Sequence, residues 1–271
     1  MSLISLVCFN AEAIMELGLN GRVAVVTGAS RGIGTAILRS LRDEGATVVN
    51  LDIRSPESGR VGDLDLRCDV TSPREVESAV SEVHDAYGRI DVLVNNAGIM
   101  VEAPADSIEM ADWRRVFEVN VEGVLNMCQA VAPIMKRQAW GRIVNAASFA
   151  AIVPSVGSSA YAASKAAVVQ LSRTMASELG PWGITVNSYA PGMVPTEMNG
   201  FGGLAPAMRD AKLDQLAIRR WGTPEEVAQA VTFLASECAG YITGSLLDVS
   251  GGKLATQSPS TAYAAPYTAG A

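Results

Sequence analysis

The sequence predicts an α/β fold, a single domain built on a doubly wound, parallel, seven-stranded sheet. Three observations carry that expectation. Short β-branched runs alternate with longer segments of helical period from residue 22 to about 250. Most of the runs are nearly continuous in apolar residues, as parallel strands covered on both faces require. A glycine-rich turn follows the first run directly, where a strand gives way to a helix. Alternation of this kind winds with right-handed crossovers and places ligands at the carboxyl ends of the strands.

The runs fall at Val23–Thr27, Thr47–Leu51, Leu64–Cys68, Ile90–Asn95, Arg142–Ala146, Thr185–Ser188 and Leu246–Val249. Amphipathic segments at 33–44, 73–87, 112–138, 160–180 and 224–236 lie between them. Two open on N-cap signals, Thr71-Ser72-Pro73 and Thr223-Pro224-Glu225-Glu226. The segment Pro191–Arg220 breaks the rhythm; rich in Met, Gly and Pro, it reads as a mobile lid at the strand ends. Residues 1–18 read as an N-terminal arm, with Met15 a second plausible start, and 19–252 as the domain. Residues 253–271, uncharged beyond Lys253, read as a tail that is loose or ordered only against a neighbouring subunit. Val116, Val119, Val124, Met127, Val131 and Ile134 cover most of the circumference of 112–138. A helix so patterned needs a second apolar partner, which points to a closed homotetramer.

Composition excludes several functions. Of 271 residues, 49% are apolar and 18% charged, so the chain can bury a large core. The net charge of −7, with no Lys/Arg cluster, leaves no footprint for nucleic acid. Four cysteines without a CxxC pair, and one histidine, supply no tetrahedral metal site and no disulfide framework. A Ser-His-Asp hydrolase would have to use His84, which sits in a charged segment and reads as a solvated helix residue. No apolar run reaches the ~18 residues needed to span a bilayer, and the N-terminus lacks a basic n-region before Glu12. The chain reads as cytoplasmic, without membrane or metal.

The turn Thr27-Gly28-Ala29-Ser30-Arg31-Gly32-Ile33-Gly34 lets the backbone approach a pyrophosphate and offers it the start of a helix. Gly28, Ser30, Arg31, Ile33 and Gly34 are therefore candidate cofactor contacts. Eighteen residues past Gly34, Asp52 stands directly at the end of the second run, after Leu51. A carboxylate there accepts from both ribose hydroxyls of NAD and repels a 2′-phosphate, whereas Arg31 could pair with that phosphate. On balance NAD(H) is favoured and NADP(H) is the open alternative. Asp69, followed by Val70, either holds the adenine amino group or caps the next helix. Asn96, Ala97 and Gly98 follow the fourth run, where small residues leave room for the adenosine ribose.

Tyr161 and Lys165 stand four apart in a helical stretch, so both lie on one face. A lysine ammonium and an oxidised nicotinamide would pull the phenol from its usual ~10 toward the working range. Ser148 closely follows the fifth run and can donate to a substrate carbonyl; without a histidine base it is a poor nucleophile. Asn120 interrupts an apolar helical segment and needs polar partners.

These motifs resemble the short-chain dehydrogenase/reductase family across residues 19–252. The resemblance rests on Thr27–Gly34, Asn95-Asn-Ala-Gly98, Asn120, Ser148, Tyr161-Ala-Ala-Ser-Lys165 and Pro191-Gly192, with thirteen residues from Ser148 to Tyr161. It implies a Rossmann fold, a nicotinamide cofactor and a homotetramer. By the same resemblance, Asn120, Ser148, Tyr161 and Lys165 are catalytic. Asn120 holds a water that links Lys165 to solvent, and Pro191, Gly192, Val194 and Thr196 meet the nicotinamide end. The look is nearest to 3-oxoacyl-acyl-carrier-protein reductases and related carbonyl reductases. Around these, Met100, Phe149, Val153, Val156, Met193, Met198 and Phe201 are candidate substrate contacts. Their apolar, soft character suggests a hydrophobic or cyclic ketone. The leading expectation is thus hydride transfer between NAD(P)(H) and a ketone or secondary alcohol. A 3-oxoacyl-acyl-carrier-protein reductase and a non-catalytic dinucleotide-binding protein are the alternatives.

Overall fold

The computed structural model describes residues 16–56 and 59–263. Seven parallel strands form one sheet in the order β3-β2-β1-β4-β5-β6-β7. In chain order they are β1 (Val23–Thr27), β2 (Thr47–Asp52), β3 (Leu64–Arg67), β4 (Val92–Asn95), β5 (Gly141–Ala146), β6 (Ile184–Pro191) and β7 (Leu246–Val249). The helices are α1 (Gly32–Asp43), α2 (Pro73–Tyr87), α3 (Met110–Phe117), α4 (Gly123–Gln138), α5 (Ser159–Leu179), α6 (Pro206–Leu213) and α7 (Pro224–Ala235).

Strand periodicity sorts the apolar side chains into two cores. Val25, Leu93, Ile143 and Val186 meet α2, α4 and α5 on one face. Ala24, Val26, Val94 and Val144 meet α1 and α7 on the other. Both faces are dry, which is why the runs read as continuous rather than alternating. The winding reverses between β1 and β4, and a cleft opens at the carboxyl ends beside that switch point.

Several expectations change. The segment 112–138 is not one helix: α3 and α4 are joined by a π-helical turn, Glu118–Glu122, that carries Asn120. Val116, Val119, Val124, Met127, Val131 and Ile134 are all buried within the single chain. These six residues therefore demand no second subunit. The lid holds α6 and a small core of its own, Met193, Leu213 and Leu216 against Phe201 and Trp221. The tail is not loose as far as it is described: Tyr263 Oη donates to Ala217 O (2.8 Å) and accepts from Arg219 N (3.1 Å). The arm is pinned at its end, where Glu237 N donates to Leu17 O (2.9 Å). Residues 1–15, including Met15, lie outside the described residues.

Candidate active site

A cavity of about 550 Å³ runs along the carboxyl ends of the strands, from the glycine-rich loop past β5 to the lid. Gly28, Arg31, Ile33, Gly34, Asp52, Asp69, Val70, Asn96, Ala97 and Gly98 line its first part. A side chain at Gly34 would run into Gly28 O at 2.5 Å, so the helix start packs against the loop as the spacing predicts. Gly32 differs. It has φ +57, and a Cβ there would meet nothing nearer than Thr196 Cγ2 at 3.9 Å. That open space lies over the first turn of α1, which carries no acidic residue. A pyrophosphate fits such a cradle.

Ser30 is not on the wall. Its N–H donates to Asp52 Oδ2 (3.0 Å), and its hydroxyl donates to Arg54 O (2.9 Å). It aims the Asp52 carboxylate, whose Oδ1 accepts from Arg54 N (3.0 Å). Arg54 itself lines the cleft two residues beyond Asp52, a neighbour the strand-end signal could have flagged. Arg31 is ion-paired with Glu197 of the lid. Asp69 does not cap α2; the cap is Ser72, which accepts from Glu75 N (3.3 Å). Asp69 Oδ1 instead accepts from Thr71 N and Oγ1. Burial pushes its carboxyl up, but the Thr71 bonds and the Arg115 and Arg67 charges outweigh it and hold the group below its usual range.

At the far end, the first two turns of α5 present Tyr161 and Lys165 beside Ser148, and all three line the cleft. Ser148 Oγ accepts from Ala150 N (3.1 Å), leaving its own hydrogen to donate. Lys165 is buried; its Nζ donates to Ala146 O at 2.7 Å, and burial lowers its pKa to about 8. Within the protein the phenol of Tyr161 is raised: burial pushes it up, and the Ser148 hydroxyl beside it offsets only part. Lys165 Nζ, while bonded to the Ala146 carbonyl, stands 5.7 Å from the Tyr161 ring centre.

Asn120 is fully buried and does not reach the cleft wall. Its Oδ1 accepts from Ile99 N (2.9 Å), and its Nδ2 donates to Ile99 O (3.0 Å) and Ser164 Oγ (2.9 Å). The side chain thus ties the loop after β4 to α5. Gly98 has a job the sequence did not suggest. A Cβ there would sit 3.2 Å from Asn120 Oδ1 and 3.3 Å from Lys165 Nζ, so its bareness makes way for the lysine. A buried chain of bonds, Asn95 Nδ2 to Asn145 Oδ1, Asn145 Nδ2 to Ser172 Oγ and Ser188 Oγ to Ser172 Oγ, fastens α5 to the sheet one face-repeat beyond Lys165. Only the recurrence of polar residues inside apolar runs hinted at it.

Met100, Phe149, Val156, Met198 and Phe201 line the same cleft, as do Pro191, Gly192, Val194 and Thr196 at the start of the lid segment. Two candidates fall away. Met193 is buried in the lid core, and Val153 is half-exposed outside the cleft. Lys212 also lines the cleft, and so does Glu197, which the sequence did not flag.

A family model described as enoyl-(acyl carrier protein) reductase matches residues 28–253. The chain is 41% identical over 243 residues to a 3-oxoacyl-[acyl-carrier-protein] reductase of Thermotoga maritima, covering 86% of this chain and 98% of that one. The chain belongs to the short-chain dehydrogenase/reductase family. A second such reductase, from Vibrio cholerae, is 38% identical over 87% of this chain and 98% of its own. Among solved structures, a gluconate 5-dehydrogenase of Burkholderia cenocepacia in complex with NADP and tartrate superposes with a TM-score of 0.85. It is 34% identical and covers 90% of this chain and 100% of that one. An aldohexose dehydrogenase of Thermoplasma acidophilum gives 0.80 at 35% identity, over 88% and 96%. As a short-chain dehydrogenase/reductase, the chain is a pyridine-nucleotide oxidoreductase acting on CH–OH groups. No helix among the described residues is long and apolar enough to cross a membrane.

Proposed function

We propose that the protein reduces the 3-oxo group of an acyl thioester to the 3-hydroxy compound. The carrying observation is the convergence of Ser148, Tyr161 and Lys165 on one apolar-walled cleft, in a chain 41% identical to a 3-oxoacyl-[acyl-carrier-protein] reductase. The soft wall expected to take a hydrophobic or cyclic ketone suits an acyl chain equally, and the relatives favour the acyl chain. The nicotinamide, when bound, supplies the hydride. The Ser148 hydroxyl holds the carbonyl oxygen, and the Tyr161 hydroxyl delivers a proton to that same oxygen as it gains charge. The buried Lys165 ammonium, adjacent in the cleft, stabilises the phenolate that Tyr161 leaves behind. Asn120 positions the helix that carries both.

For the cofactor, Asp52 supports NAD(H), and the engagement of Arg31 by Glu197 removes one partner for a 2′-phosphate. NADP(H) is the second reading; Arg54 beside Asp52 and the NADP complex of the gluconate 5-dehydrogenase relative favour it. A homotetramer remains part of the proposal on family grounds, without the six apolar residues first invoked. The test is consumption of NADH and NADPH with acetoacetyl thioesters; no reduction of any 3-oxo thioester overturns the substrate reading.

A further inference from the structure

The arginines around the lid side of the cleft are already engaged. Arg31 is paired with Glu197, Arg209 with Asp210 (3.5 Å), Arg219 with Asp214 (2.7 Å) and Arg220 with Glu226. Two lysines nearby are not: among the described residues neither Lys212 nor Lys253 has a carboxylate within ion-pairing distance. Lys212, half-buried on α6, lines the cleft with its Nζ 5.0 Å from the centre of the Phe201 ring. That ring is itself fixed by stacking on Trp221 at 5.5 Å. Lys253, half-buried just beyond β7, brings its Nζ within 4.8 Å of the Phe149 ring centre, next in sequence to Ser148. Its hydrogen-bond partner is neutral, Gln215 Oε1 at 2.6 Å. Both rings are cleft wall.

We infer that Lys212 and Lys253 form an anion subsite on the Phe149–Phe201 wall, and that the carbonyl substrate carries an anionic group, carboxylate or phosphate ester, that seats there. Half-buried ammonium groups without a counter-charge are costly, and a ligand anion supplies what the protein does not. Burial and the neighbouring Lys212 charge both push the Lys253 ammonium below its usual value, as expected of two like charges that share a site. Contact with aromatic faces keeps Lys212 at the cleft and Lys253 against a ring of its wall instead of letting them swing into solvent. The exposed acid on the rim, Glu102, belongs to the segment that bridges Ser158 through Ala103, not to this wall. In a chain of net charge −7, a pair of unneutralised cations packed on the rings of the cleft wall selects for an anion. The inference rests on carbonyl reduction and narrows its substrate class.

The experiment compares kcat/KM within two probe pairs. Acetoacetate against methyl acetoacetate tests a carboxylate, and acetoacetyl-CoA against acetoacetyl-N-acetylcysteamine tests a phosphate-bearing arm. The wild type should prefer the charged member of at least one pair by about tenfold, mainly through KM, the size of one charge-assisted hydrogen bond. K212M/K253M should abolish that preference, the single variants should lose part of it, and K212R/K253R should keep it. The pair that responds identifies the source of the anion. No preference in either pair, or one that survives K212M/K253M, overturns the inference and leaves carbonyl reduction standing. Calorimetric titration of acetoacetate and of phosphopantetheine separates the other case. Binding to the wild type that K212M/K253M loses, with no probe reduced, upholds the subsite and sinks the reductase reading; no binding of either together with no reduction sinks both.

Discussion

Gly98→Ala adds one methyl group at the point where Asn120 and Lys165 meet. The new Cβ would lie 3.2 Å from Asn120 Oδ1 and 3.3 Å from Lys165 Nζ, tighter than ordinary contact. Asn120 cannot yield, because three hydrogen bonds fix its amide between Ile99 and Ser164. Lys165 can, since its ammonium ends a flexible stem; it must retreat by a few tenths of an ångström. The bond to Ala146 O, 2.7 Å long, then stretches or bends. A bond to a charged group is worth about 1.5–3 kcal/mol, and losing part of it costs on the order of 1 kcal/mol. Since a misplacement of ~1 Å in a catalytic constellation costs about a hundredfold, this smaller one should lower kcat roughly three- to tenfold. Added bulk costs stability at the low end of about 1–3 kcal/mol, so Tm should fall by only about 2–4 °C. Initial rates of nicotinamide oxidation, thermal unfolding and a titration of the cofactor check this together. A kcat within twofold of wild type would refute the account of Gly98. So would weakened cofactor binding with kcat intact, which would return the glycine to the ribose.

Tyr161→Phe removes the proton donor and should cost about 10²–10⁴ in kcat while cofactor affinity stays within a few-fold; retention of a tenth of wild-type kcat would refute the role. Lys165 is an ammonium below its lowered pKa of about 8 and neutral above it, so reductive kcat/KM should fall as pH rises through about 8. Lys165→Arg, charged throughout, should lose that alkaline limb in the pH–rate profile. Asp52→Ser should raise the NADPH-to-NADH ratio of kcat/KM by about tenfold or more, as a carboxylate near a phosphate costs on the order of 1–4 kcal/mol. Glu197→Gln should add to that rise by freeing Arg31, and a wild type already preferring NADPH tenfold would sink both. Light scattering should give the mass of four chains, and a monomer at micromolar concentration would remove the tetramer.

The parts of the fold legible in the sequence are those set by short-range chemistry. A strand buried on both faces is largely apolar, so the runs Val23–Val26 and Ile143–Val144 were readable without any partner in view. Ser72 and Thr223 announce their helices because a cap is made within four residues. The illegible parts depend on what arrives from elsewhere in the chain. The π-helical turn at Glu118–Glu122 carries no breaker residue; what marks it is Asn120 reaching Ile99 and Ser164, both remote in sequence. Ser30 looked like a phosphate contact because it stands in the glycine-rich loop, yet Asp52 and Asn50 claim it from the next strand. Met193 looked like pocket lining for want of any sign that Leu213 and Leu216 would cover it.

The same distinction explains why the reaction was easier to read than the substrate. Tyr161 and Lys165 stand on the regular start of α5 and Ser148 two residues beyond β5, so their positions follow closely from helical period and strand pairing. The candidate substrate residues come from the loop after β4, the loop after β5 and the lid, three segments with no common period. Lys212 and Lys253 are separated by 41 positions in the chain, and only folding brings each to a ring of the cleft wall. The lid that carries Lys212 is fastened to the glycine-rich loop by Arg31–Glu197 and to the tail by Tyr263. Selection of the substrate charge and selection of the cofactor phosphate therefore share one mechanical element, and a substitution at Glu197 should be read out in both.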